Sequence, residues 1–203
     1  MAKIRFTKNE LKNQKEALKR YTRYLPTLEL KKTQLVNEIR IINHQIETIR
    51  KEIEHFERKL FQWVDVFGEE IDIPSLFSIE KIVTTGGNIA GIDIDIFKEV
   101  IFKDEDYDFF EIPLWVDRGI EACKEQISRK AKIMTLEKQM EVLREELRIT
   151  IQRINLFEKV KIPEARENIR VIRIYLGDIQ TAEVVRGKIS KSKIQKKKEL
   201  AAA

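Results

Sequence analysis

The chain has little of what makes turns, crosslinks or membrane spans. Its 203 residues include one cysteine, four prolines and seven glycines. The single cysteine, Cys123, excludes an internal disulfide framework and favours a reducing compartment. No apolar run approaches the roughly 18 residues that mark a membrane-spanning helix, and the first residues lack the apolar core of a signal peptide. We therefore expect a cytoplasmic protein without direct membrane insertion.

Charge is abundant and unevenly distributed along the chain. Residues 1–25 carry eight Lys or Arg against two Glu, and residues 186–203 carry seven against one Glu. Residues 65–111 instead carry thirteen Asp or Glu against three Lys. Both ends are thus basic and the middle is acidic, which indicates different partners for different parts of the chain.

A seven-residue hydrophobic repeat dominates the N-terminal third. Alternate steps of four and three residues from Thr7 to Phe67 give eighteen positions, of which fifteen are apolar. This spacing is the signature of a left-handed coiled coil, and Pro26 is expected to kink the helix or mark a local start. The positions that we assign to the coiled-coil seam are Leu35, Ile39, Ile42, Ile46, Ile49, Ile53, Phe56, Leu60 and Trp63.

A second helical pattern runs from Val116 to Lys198. Its register slips after Leu147 and again near Pro163, where we expect a kink in one continuous path in preference to a chain reversal. The apolar stripe of this pattern consists of Ile133, Leu136, Met140, Leu143, Leu147, Ile151, Ile154, Ile169, Ile172, Leu176 and Ile179.

The middle of the chain predicts a β-hairpin. Residues 79–85 and 92–97 favour strands, and Gly86, Gly87 and Asn88 between them favour a turn. Two strands alone are marginal in water, so the hairpin is expected to pack on the end of the helices or on another protein.

The predicted fold is mainly α, a long antiparallel two-helix left-handed coiled coil with a small β-hairpin insert between the helices. Its parts are a helix over 1–67, an acidic insert over 68–115 at the foot end, a helix over 116–198 and a tail over 199–203. Antiparallel pairing would bring the basic termini to one tip and the insert to the other.

A search for catalytic or nucleotide-binding chemistry gives no site. The spacing from Gly86 to Gly91 matches a phosphate-binding loop, but Ile92 and Asp93 follow where that loop needs Lys and Ser or Thr. We therefore exclude a phosphate site and predict that the chain binds no cofactor and is not an enzyme.

Metal binding is excluded in the same way. The acidic run over 104–108 begins like a calcium loop, but Phe109 stands where the loop needs glycine. His44 and His55 would lie about 16 Å apart along a helix, too far to share a metal. Cys123 has no histidine nearby in the sequence and is interpreted as a small hydrophobe.

Several short stretches resemble the D subunit, the central-stalk rotor component, of the V-type and A-type rotary ATPases. Asn88-Ile-Ala-Gly-Ile92 resembles the Asn-Val-Ala-Gly-Val motif of the family. Arg153-Ile-Asn-Leu-Phe-Glu158 resembles its Arg-Val-Asn-Ala-Leu-Glu run, with Pro163 at the family's spacing, and Ala182-Glu-Val-Val-Arg186 resembles the run before its basic tail. The positions that match the family are Asn88, Ala90, Gly91, Arg153, Asn155, Glu158, Pro163, Ala182, Glu183 and Arg186.

The sequence departs from the family pattern at three places. Asp95 stands where a proline is usual, Gln180-Thr181 replaces a Glu-Arg pair, and Gly187 replaces a leucine. The first of these differences puts the details of the insert's contacts in question, and Gly187 is expected to loosen the last helical turns.

The resemblance implies a non-catalytic shaft in a complex peripheral to the membrane. In the family the two termini reach into the catalytic hexamer of A and B subunits. The insert end is held by the F subunit of the stalk and by the socket subunit, of the C or d type, above the ion-translocating ring. The positions that we predict as bearing contacts with the hexamer are Lys8, Lys12, Lys15, Arg186, Lys188 and Lys191.

Two other classes of protein fit parts of the sequence. A structural coiled-coil scaffold would self-associate into elongated oligomers. A nucleic-acid binder with a basic tail would bind DNA or RNA in a salt-sensitive way that is lost without residues 188–203. The tail has no interleaved aromatic residues, so we predict no nucleic-acid partner. A rotor shaft instead predicts a largely monomeric protein that forms a one-to-one complex with the F subunit.

Overall fold

A computed structural model describes residues 4–60, 76–104, 113 and 115–202. The elements in chain order are α1 (Lys8–Leu60), β1 (Phe77–Ile89), β2 (Ile92–Asp104), α2 (Val116–Leu156), a π-helical turn (Phe157–Lys161) and α3 (Ile162–Ala202). The predicted fold class is confirmed, since two long helical stretches flank an antiparallel two-stranded hairpin. The seam position Trp63 and the acidic residues 105–108 lie outside the described part of the chain.

The chain divides into two compact units, residues 31–150 and residues 1–30 with 151–203. In the first, α1 and α2 pack through their apolar stripes around a buried cluster of Leu35, Ile42, Ile46, Ile49, Leu136 and Leu143. Ile39 and Ile53 pack against this cluster. Phe56 and Leu60 are half-buried, and the Arg129 guanidinium lies 4.7 Å from the centre of the Phe56 ring.

Ion pairs between the helices of this unit show their direction. Lys31 Nζ lies 2.7 Å from Glu146 Oε1, and Arg50 Nη2 lies 2.9 Å from Glu137 Oε1. Numbers rise along α1 as they fall along α2, so the pair is antiparallel.

The second unit repeats this arrangement with the start of α1 and the residues after 150. The rings of Phe6 and Tyr175 lie 5.0 Å apart, and those of Tyr21 and Phe157 lie 5.2 Å apart. These contacts also run antiparallel. α1 passes through Pro26 as one helix, so Pro26 does not mark a new start. The buried residues on the C-terminal side are Ile154, Ile162, Ala165, Ile169 and Ile172.

Thr150, and not Ile151, continues the buried stripe of α2. Thr150 is fully buried, whereas the side chain of Ile151 is 37% exposed. The predicted slip after Leu147 is therefore wrong, because a seven-residue step from buried Leu143 leads to Thr150 and a further four residues lead to Ile154. The prediction counted only apolar side chains and so missed a threonine at a seam position.

The π-helical turn lies just before Pro163. The N–H of Ile162 donates to the carbonyl of Phe157, which is the wider hydrogen-bond spacing of a π-helix. Proline has no N–H and its ring crowds the carbonyl four residues earlier, and the wider turn relieves this crowding. The residues on either side, Leu156 and Ile162, keep α-helical dihedral angles. The chain therefore crosses Pro163 as a helix and does not reverse there.

The same turn absorbs a shift in the buried stripe. Seven-residue steps from the buried Thr150 and Ile154 place later stripe positions at 161, 164, 168 and 171. The buried residues instead fall one position later in each case, at Ile162, Ala165, Ile169 and Ile172. A π-turn holds one residue more than an α-helical turn, so it keeps these residues on the packed face.

Replacing Thr150 with valine should stabilise the protein. The Thr150 hydroxyl has no hydrogen-bond partner among the described residues, and a buried unpaired polar group costs about 1–3 kcal/mol. We expect Thr150→Val to raise the free energy of unfolding by about 1 kcal/mol in urea denaturation. Thr135→Val is the matched control, because the buried Thr135 hydroxyl donates to the Ala131 carbonyl. An equal gain in both variants would contradict the explanation.

Removing one residue from the π-turn should be tolerated when Pro163 is also replaced. Val160 is exposed. Its deletion together with Pro163→Ala should convert the segment into a regular α-helix, and the buried residues that follow should still face the core. We expect a free energy of unfolding within about 1 kcal/mol of the parent protein.

The control for this experiment deletes exposed Arg144 in the Pro163→Ala background. This deletion rotates the stripe residues that follow it by about 100°, and it should cost several kcal/mol as they leave the core, on the order of 2–5 for each large side chain. Similar losses for the two deletions would show that the π-turn does not set the register.

Candidate protein-interaction site

The hairpin turn lies at Ala90 and Gly91, later than predicted. Their φ angles are 52° and 79°, the two positive values that a two-residue type I′ turn requires. Gly86, Gly87 and Asn88, predicted as the turn, lie inside β1 and pair with Asp95, Ile94 and Asp93. The prediction placed the turn at the two adjacent glycines because glycine favours turns. Among the described glycines, however, only Gly91 has a positive φ.

Asn88 holds the two ends of this turn together. Its Oδ1 accepts a hydrogen bond of 3.0 Å from the Gly91 N–H, and its Nδ2 donates to Asp93 Oδ1 at 2.8 Å. Ala90 packs against the core cluster of the two helices. The Asn-x-Ala-Gly stretch therefore builds the turn and its contact with the helices.

The hairpin lies along α2 and not only at the helix end, as the sequence had suggested. At its base, Phe77 is buried with Val116 and Ile120 at the start of α2. At its tip, Ile89 and Ile92 pack on the cluster that contains Leu136 and Leu143. Between these anchors, Gln139 Nε2 donates to the backbone carbonyl of Asp95.

A groove of about 460 Å³ remains between the hairpin and α2. Its mouth exposes three apolar side chains, Ile82, Met134 and Val142. The lining residues, which define the hairpin groove, are Ile82, Thr84, Gly86, Asp93, Ile94, Asp95, Ala131, Met134, Thr135, Lys138, Gln139 and Val142.

The unit formed by residues 1–30 and 151–203 carries a basic surface. The cations that define the basic surface are Lys15, Lys19, Arg23, Arg166 and Arg173. None of them has an ion pair within the described residues, and Leu18, Thr22 and Ile169 lie among them.

The six predicted bearing residues all lie in this unit and are exposed. Lys15 belongs to the basic surface, and Lys188 and Lys191 share a shallow depression on α3. Lys12 lies 3.9 Å from Glu16, and Lys8 and Arg186 are exposed elsewhere in the unit. The sequence did not predict Lys19, Arg23, Arg166 or Arg173, because only folding brings residues 15–23 and 166–173 together.

The residues that match the family in the stretches 153–158 and 182–186 lie on the surface of the helix. The side chains of Arg153, Asn155 and Glu158 are exposed, and so are those of Ala182 and Glu183. They contribute nothing to the core of this chain, unlike Ala90 in the insert.

The described residues offer no metal constellation. They contain no cluster of three or more His, Cys, Asp or Glu side chains that could hold a metal ion. His44 and His55 are exposed. Burial raises the pKa of the Cys123 thiol, which keeps it protonated and poorly nucleophilic. In the described ranges, no helix is both long and apolar enough to cross a membrane.

Comparisons with known proteins agree with the sequence motifs. The family of ATP synthase D subunits matches residues 10–192. The V-type ATP synthase D subunit of Borreliella burgdorferi is 46% identical over 97% of this chain and 98% of its own length. Those of Chlamydia pneumoniae and Chlamydia caviae are 32% and 30% identical, over 96% and 98% of this chain and 95% and 97% of their own lengths.

The fold is that of a two-helix coiled-coil protein with a small β-hairpin insert. The chain belongs to the family of ATP synthase D subunits, as the sequence resemblance predicted. Membership makes it a non-catalytic subunit of a V-type ATP synthase complex.

Replacing Asn88 with alanine should loosen the hairpin tip. The change removes the bonds to the Gly91 N–H and the Asp93 carboxylate, and each exposed bond contributes about 0.5–1.5 kcal/mol. We expect the Gly91 amide to exchange hydrogen at least about fivefold faster, measured by NMR, with a loss of about 1 kcal/mol in local stability. Thr85→Ala, at an exposed position of the same strand, is the control and should leave that amide unchanged.

Proposed function

We propose that this chain is the central rotor shaft of a V-type ATPase, located on the cytoplasmic side of a membrane as part of the complex. It transmits torque between the catalytic hexamer of A and B subunits and the ion-translocating ring. The F subunit and the socket subunit hold the unit that carries the hairpin. The proposal combines family membership with surfaces that the chain's own core does not use.

The end of α3 is the observation that carries the proposal. From Gly177 to Lys198 every residue is exposed, including Val184, Val185 and Ile189. Just before this segment, the Tyr175 ring lies 5.0 Å from the ring of Phe6, which precedes α1. A helix that shows apolar and basic side chains on all sides gains stability by being enclosed. The central cavity of a hexamer would provide such an enclosure.

The basic surface suits a contact that must move. Lys15, Arg166 and the other cations of this surface are not held by anions of this chain within the described ranges. Exposed ion pairs contribute at most about 1 kcal/mol each, so long basic side chains can exchange anionic partners without a deep energy minimum. Torque, in contrast, needs a stiff body, and the interlocked side chains of a coiled coil provide it.

Reversing charges on the basic surface should impair rotation without impairing stalk assembly. We expect Lys15→Glu, Lys19→Glu and Arg173→Glu combined to slow ATP-driven rotation of the reconstituted complex at least about threefold, since each reversal turns an attraction of up to about 1 kcal/mol into a repulsion. Rotation would be followed by single-molecule imaging, and binding of the F subunit should be unchanged.

The control exchanges the charges of one ion pair in the same unit, Glu167→Arg with Arg170→Glu. These side chains are paired at 2.7 Å and exposed, so the exchange preserves both the pair and the net charge. Wild-type rotation in the triple variant would exclude the basic surface as a rotor contact.

Two measurements separate the rotor shaft from the other classes of protein. Sedimentation of the purified chain should give a monomer, whereas a structural scaffold would self-associate. Removing residues 188–203 should weaken binding to the catalytic hexamer. The full-length chain should show no salt-sensitive binding to DNA or RNA, whereas a nucleic-acid binder would show such binding and lose it in the truncated protein.

A further inference from the structure

Gly86 is a residue that its own chain does not explain. It lies within β1, where glycine weakens a strand. It is not among the positive-φ residues, and a Cβ built on it would meet no atom within 4 Å. Neither turn geometry nor packing therefore requires glycine here. A glycine inside a strand often marks a position that another backbone approaches closely.

The backbone of Gly86 faces the open edge of the hairpin. The Asp95 carbonyl accepts a hydrogen bond from Gln139, outside the hairpin, so it points away from β1. Gly86 is the cross-strand partner of Asp95. In an antiparallel ladder the N–H and C=O groups of such a pair point outward on both strands. Within the described ranges no backbone group outside the hairpin bonds to Gly86, so β1 offers an unpaired edge.

The hairpin groove is lined by Gly86 itself. Met134 at its mouth is 57% exposed, and methionine adapts its shape to the side chain that it contacts. The carboxylate of Asp95 lines the groove and forms no ion pair among the described residues. Asp93 and Lys138 line the groove as well, so it combines an apolar recess with two carboxylates and one ammonium group, a net charge of −1. This combination fits an apolar side chain that is followed or preceded by a basic one.

We infer that an extended segment of the F subunit adds as a third strand along β1 at Gly86. The segment places an apolar side chain in the hairpin groove and a basic side chain beside Asp95. The identity of the partner rests on the proposed function, whereas the mode of binding rests on Gly86, the open edge and the groove.

A substitution at Gly86 tests the inference without harming the hairpin. Valine favours strands and its Cβ has free space here, so Gly86→Val should keep the melting temperature of the free protein or raise it. Gly86 lines the hairpin groove, so in the complex the valine side chain would occupy the space that the incoming apolar side chain needs. We expect the Kd for the purified F subunit to rise at least about tenfold in isothermal titration calorimetry.

Two further variants and one control complete the experiment. Met134→Glu puts a negative charge at the apolar mouth of the groove, where Lys138 lies four residues later on the same helix and can pair with it. This variant should also weaken binding of the F subunit, whereas Met134→Leu should not. Thr85→Val adds the same branched side chain at the next position of β1, on the opposite face, and should bind the F subunit normally. In the wild-type complex the Gly86 amide should exchange hydrogen at least about tenfold more slowly than in the free protein.

The outcomes separate the two proposals. If wild-type protein binds the F subunit and all variants bind equally well, the groove inference is wrong and the rotor assignment stands. Weakened binding without protection of the Gly86 amide also overturns strand addition. If wild-type protein does not bind the F subunit at all, both this inference and the stalk-partner part of the proposed function fail.

Discussion

The burial of one apolar stripe between antiparallel helices is the interaction on which the rest of the molecule depends. Each fully buried Leu or Ile in such a stripe contributes about 1.5–3 kcal/mol. Leu35 and Leu143 are examples, and both have no exposed surface. Most helix stability in proteins comes from the tertiary packing of such an apolar face and not from intrinsic propensity. The stripe occupies one face of each helix and leaves the other faces available for partners.

The hairpin depends on the same cluster. Two strands are marginal by themselves, but Ile89, Ala90 and Ile92 join the core between the helices. The type I′ turn places Ala90 there at a positive φ, which costs an alanine roughly 1–2 kcal/mol. Asn88 offsets part of that cost through its two hydrogen bonds. The family-like stretch is thus explained by turn geometry and packing, and it fixes the position of Gly86 four residues before the turn.

Much of this architecture could be predicted from the sequence, because a seven-residue repeat records which face is buried. The buried residues Ile42, Ile46 and Ile49 all lie at repeat positions. The repeat could not identify Thr150, since a polar residue at the seam looks like a break in the pattern. It also could not place the hairpin turn, because Gly86 and Gly87 resemble a turn in composition but lie in a strand.

The candidate sites were harder to predict because they are made by residues that are distant in the sequence. The basic surface joins Lys15, Lys19 and Arg23 with Arg166 and Arg173. The hairpin groove joins residues 82–95 with residues 131–142. Neither combination has a local spacing that a motif search could detect. Both follow from the antiparallel return of the chain, which the sequence indicated only in outline.

The distribution of ion pairs separates structural charge from charge that is available for partners. Glu145 pairs with Arg148, and Glu167 with Arg170, through two hydrogen bonds each. These bonds hold the pKa values of both glutamates below their ordinary range. The cations of the basic surface have no such partner in the described part of the chain, although other residues on the same helices do. A surface that leaves five cations unneutralised between paired neighbours has the charge pattern of a contact with an anionic partner.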